Sequence, residues 1–89
     1  MTSIDFKNYS GYLFLEIPTS KIFKNFDIAN QLDELSIAIV HDANKPEVTT
    51  WKFNEITNAL KAVAILQLKQ ALPFRLVGED EIVFILQEE

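Results

Sequence analysis

The sequence predicts an α+β fold: a small, mostly antiparallel sheet of four to six strands, one long apolar helix and one shorter helix. Three observations carry this expectation. Asn54 to Leu72 repeats apolar residues at three- and four-residue steps and stops at Pro73. Short runs rich in β-branched and aromatic residues stand in pairs around turn residues, which is the pattern of hairpins. The chain is 48% apolar with only two glycines and three prolines, enough apolar surface to oppose the entropy of ordering. The expected order is ββαββαββ. At 89 residues there is no room for a second core, so a single domain over 1–89 is expected.

The first hairpin is expected to pair Ser3–Lys7 with Tyr12–Ile17 across the turn Asn8-Tyr9-Ser10-Gly11. A four-residue loop sets Ile4, Phe6, Leu13, Leu15 and Ile17 on one face and Asp5, Lys7, Tyr12, Phe14 and Glu16 on the other. Pro18-Thr19-Ser20 ends the strand. From Lys21 to Glu34 the apolar positions Ile22, Phe23, Phe26, Ala29 and Leu32 suit one helix, with a shorter helix capped by Asp27 as the alternative. Leu35–His41 and Val48–Phe53 read as a second hairpin around Asp42-Ala43-Asn44-Lys45-Pro46, unless Thr49 or Thr50 already caps the long helix and places Trp51 inside it. After the long helix, Phe74–Val77 and Ile82–Gln87 flank Gly78-Glu79-Asp80-Glu81 as a terminal hairpin.

Two features point to contact with another chain. Tyr12–Leu15 and Ile82–Leu86 are apolar on both faces, as expected of interior strands covered on both sides. In the long helix, Phe53, Ile56, Ala59, Leu60, Val63 and Ala71 form a core stripe, yet Ala62–Leu68 is apolar nearly all round, broken only by Gln67. Either the sheet wraps this helix or a second copy covers it through Ile65, Leu68 and Leu72, which makes a homodimer the expectation.

The sequence excludes several chemistries. Without cysteine there is no disulfide, thiolate metal site, iron–sulfur cluster or cysteine nucleophile. The single histidine, His41, precedes Asp42, and strand neighbours point to opposite faces, so the two form no local acid–base pair. Asp42–Glu47 lacks the glycine and the distant glutamate of a calcium loop, and no glycine-rich phosphate loop or nucleophile elbow is present. The carboxylate pairs Asp33-Glu34 and Glu79-Asp80-Glu81 suit solvated ends better than a cleft. No enzyme activity, metal or cofactor is expected.

The net charge is −5, and residues 79–89 hold that whole deficit. Such a chain lacks the positive field that drives nucleic-acid association, so nucleic acid is disfavoured, with an aromatic sheet face around Lys7, Tyr12, Phe14 and Trp51-Lys52-Phe53 as the surface that would serve it. The first residues carry Asp5 and no apolar run, and nothing approaches the ~18 apolar residues of a membrane span. The expected protein is a cytoplasmic, non-catalytic interaction module of inhibitor, immunity, antitoxin or adaptor type. It is expected to self-associate and to use Tyr12, Phe14 or Trp51 for a further partner, with single-strand nucleic-acid binding and a small-molecule site near Trp51 as the alternatives.

Overall fold

The computed structural model describes residues 9–69, 72–80 and 82–86. The elements are β1 (Leu13–Pro18), α1 (Thr19–Ile22), α2 (Phe26–Leu35), β2 (Ala38–Val40), β3 (Val48–Phe53), α3 (Ile56–Lys69), β4 (Arg75–Gly78) and β5 (Val83–Leu86). The five strands form one antiparallel sheet in the order β2-β3-β1-β4-β5. The fold is therefore α+β, as the hairpin patterns predict.

β1 is the central strand. Leu13, Leu15 and Ile17 are buried, and Phe14 and Glu16 between them are half-buried. Its neighbours are β3, which places Leu15 opposite Trp51, and β4, which places Leu15 opposite Leu76. The expected partner Ser3–Lys7 lies outside the described residues, and both edges of Leu13–Glu16 are taken by β3 and β4. β5, expected to be interior, pairs with β4 and is the last strand of the sheet among the described residues. The second and third hairpins form as expected, and Trp51 lies in a strand.

The expected single helix over Lys21–Glu34 is broken in two. Asn25 makes the break: its side-chain amide donates to the carbonyl of Lys21 at 2.9 Å, ending α1, while its own carbonyl accepts the first α2 bond from Ala29 at 3.0 Å. An asparagine side chain competes with helical backbone bonding in this way. The break changes which residues face inward. Ile22, Ile28 and Leu32 are buried, whereas Phe23 and Phe26, expected in the core, are 70% and 69% exposed and pack only loosely on each other at 6.2 Å between ring centroids.

α2 and α3 pack on each other, and α1, α2 and α3 all contact the sheet through β1 or β3. In α3 the buried residues are Ala59, Ala62, Val63 and Leu66, a single stripe at three- and four-residue steps. Ile56 and Ile65 flank it, half-buried. Leu60, expected in the stripe, is exposed, as are Ala64, Gln67 and Leu68. The segment expected to be covered on every side thus has a solvent-facing side. Leu72, beyond the end of α3 and before Pro73, folds back into the core at 3% exposure.

Candidate functional site

Because α1 to α3 share one face of the sheet with Leu13, Leu15, Ile17, Trp51 and Phe53, the opposite face has no described element upon it. Strand alternation decides what that face carries. One cross-strand row is Val40, Thr50, Glu16 and Arg75, and the next is Ala38, Lys52, Phe14 and Val77. Arg75 Nε meets Glu16 Oε1 at 3.0 Å, an ion pair laid across the middle of the sheet. The loop after β2 borders the face at one end. It is shaped by Asp42, whose carboxylate accepts from the Asn44 N–H at 2.8 Å and whose carbonyl accepts from the Lys45 N–H at 2.9 Å. Together these elements enclose an open concavity of about 610 Å³ whose lining includes Phe14, Val40, Thr50 and Val77.

The three residues expected to meet a partner do not share this surface. Tyr12 is 40% exposed, but its ring is occupied by Lys52, whose Nζ lies 4.1 Å from the ring centroid, and its N–H donates to Glu79 Oε1 at 3.1 Å. Phe14 is half-buried in the concave face. Trp51 is on the other side, 2% exposed, with its indole N–H donating to Asp33 Oδ1 at 2.8 Å. Phe53 is buried beside it. The aromatic platform expected for nucleic acid is thus divided between core and surface, because residues two apart in a strand share a face and neighbours do not.

The three residues expected to join two copies are also separated. Leu72 belongs to the core, Ile65 lies in a groove between α2 and α3 with Leu35 and Lys61, and Leu68 alone is fully presented to solvent.

A second surface is the margin of the sheet at β2. Ala38, Ile39 and Val40 are all exposed, as is Ile37 before them. The backbone of β2 can be traced from its neighbours. Thr19 N–H donates to the Glu47 carbonyl at 2.8 Å, continuing the β1–β3 ladder past Pro18↔Val48. Antiparallel alternation then directs Thr49, Trp51 and Phe53 toward β1, and Thr50 and Lys52 toward β2. Ala38 and Val40 answer them, and Ile39 turns its N–H and C=O outward, beyond the sheet. The sequence shows one signal of this edge, the absence of charge from Ser36 to Val40.

His41 is exposed at the end of β2. Among the described residues no group of three or more His, Asp or Glu side chains could hold a metal ion, and no helix is long and apolar enough to cross a membrane. Compared with protein-family models, curated proteins and solved structures, the chain matches none.

Proposed function

We propose that this chain is a small non-catalytic interaction module that self-associates, two copies pairing through β2. The observation that carries this proposal is the outward-facing backbone of Ile39 in an exposed, uncharged edge strand. Natural sheets guard such margins with lysine, proline or a covering element, since unpaired N–H and C=O groups recruit another strand. Ser36–Val40 has none of the charged guards.

A second copy suits the edge on two grounds. An antiparallel strand is complementary to itself about a two-fold axis, so pairing centred on Ile39 closes after two copies and satisfies the same groups in both. The edge is also neutral, so two chains of net charge −5 meet where neither brings charge. The pairing joins two five-stranded sheets and brings the two Ile39 side chains together.

Light scattering at high micromolar concentration tests the pairing. The expected mass is twice the 10.2 kDa of one chain. Ile39→Pro removes the outward donor and leaves the β2–β3 ladder intact, so it returns the mass to one chain without loss of secondary structure by circular dichroism. A strict monomer in the unaltered protein, or a dimer unchanged by Ile39→Pro, rejects the proposal.

A further inference from the structure

We infer that the concave face of the sheet is a binding site for an extended, apolar peptide segment carrying lysine or arginine, supplied by a different protein. The inference rests on the chain being an interaction module, but not on pairing through β2.

Shape and charge argue for this occupant together. Phe14, Val40, Val48 and Val77 provide an apolar floor, and a concavity of about 610 Å³ bounded by several strands and the loop after β2 suits a chain segment laid across it. The charged lining is unbalanced. Glu16, Asp42, Glu47 and Glu79 stand against Lys45 and Arg75. Arg75 is engaged by Glu16, Asp42 accepts from the Asn44 N–H and Glu79 from the Tyr12 N–H, so the lining has three further acids to one further base around an apolar surface. Lys52, the other cation of this face among the described residues, is held over Tyr12 outside the concavity.

The sign selects among occupants. A second copy would bring the same carboxylates to this rim, and a nucleic acid would bring phosphates, so both are opposed by like charge. A segment alternating apolar and basic side chains sets one row on the floor and the other toward the rim, using the two-residue period of an extended backbone. The site therefore recognises apolar content by burial and basic content by charge.

The probes are two blocked hexapeptides, Val-Lys-Val-Lys-Val-Lys and Val-Glu-Val-Glu-Val-Glu, titrated into the full chain with amide shifts followed by NMR. The basic peptide is expected to shift Phe14, Val40, Thr50 and Val77, and the acidic one to leave them unmoved. Glu47→Lys weakens the basic peptide about fivefold and Lys45→Glu strengthens it by a similar factor, the scale of one exposed charge contact. Glu34→Lys, which alters the helix side by the same charge, leaves the affinity unchanged. Equal binding of both peptides, no binding, shifts confined to the helix side, or equal sensitivity to Glu34→Lys and Glu47→Lys overturns the inference. So does displacement by an oligonucleotide, or loss of a self-associated mass on Phe14→Glu, which assigns the face to nucleic acid or to a second copy. Light scattering on the same samples separates this outcome from failure of the β2 pairing.

Discussion

The indole N–H of Trp51 donates to a carboxylate oxygen of Asp33 at 2.8 Å, tying the buried face of β3 to the flank of α2. Trp51 itself is almost wholly enclosed, while Asp33 is exposed, so the bond lies at the boundary where the helix layer meets solvent. It lets the chain's one tryptophan fill core volume without leaving its donor unmet.

Removing that acceptor should destabilise the protein measurably. Asp33→Ala is expected to cost about 1 kcal/mol, near the low end for a donor left unsatisfied because water can approach from the Asp33 side. Urea unfolding followed by far-ultraviolet circular dichroism measures it. In a Trp51→Phe background the same Asp33 change should cost close to nothing, and an equal cost in both backgrounds would show that the bond contributes nothing. Trp51 emission should also be protected from acrylamide in the native protein, so oligonucleotide quenching through Trp51 is not expected.

Both glycines of the chain sit under one tyrosine. A Cβ on Gly78 would stand 2.5 Å from Tyr9 Oη, and one on Gly11 would stand 2.7 Å from the same oxygen. Tyr9 also packs edge-on against Phe84 at 4.9 Å, and its hydroxyl accepts from the Glu79 N–H at 2.8 Å. Gly78→Ala should therefore expel the Tyr9 ring, at about 1–3 kcal/mol. Once Tyr9→Ala has removed the ring, adding Gly78→Ala should cost less, with a residual cost because Phe84 Cε2 still stands 2.9 Å from the added Cβ. Full additivity in a double-mutant cycle would place the cost elsewhere.

Ile65, Leu68 and Leu72 should part company in thermal unfolding. Leu72→Ala empties a core position and is expected to cost about 2–5 kcal/mol. Leu68→Ala, at 83% exposure, should stay within about 0.5 kcal/mol. Ile65→Ala, half-buried between α2 and α3, should fall between them. Leu68→Glu should also leave the mass in light scattering unchanged, since the proposed pairing is through β2.

The strands were legible where local chemistry dominates. The alternation of Leu13, Leu15 and Ile17 with Phe14 and Glu16 marks the inward face without any knowledge of neighbours, and the turn residues around 42–46 and 78–81 mark two hairpins. The helix break at Asn25 was less legible, since the periodicity of Ile22, Phe23, Phe26 and Ala29 fits a continuous helix equally well. One amide side chain bonding back to Lys21 turned Phe23 and Phe26 outward.

The sites were harder to see than the elements. Tyr12, Phe14 and Trp51 are all aromatic strand residues, and nothing in their own neighbourhoods says that Trp51 lies beneath α2 while Phe14 lies in the open face. The concave floor unites residues from four strands that are far apart in sequence, and its acidic rim adds the loop after β2 to the turn after β4.

The sequence alone determined the α+β class, the two later hairpins and the inward face of β1, because these follow from side-chain alternation, turn residues and the stop at Pro73. Tertiary structure decided that β1 is central, that all the described helices lie on one face, that Leu72 is core while Leu68 is surface, and that β2 is an edge strand among the described residues. The physical reason is that periodicity specifies which side chains of an element share a face. Which of two apolar faces is buried depends on how elements distant in sequence fill the same space.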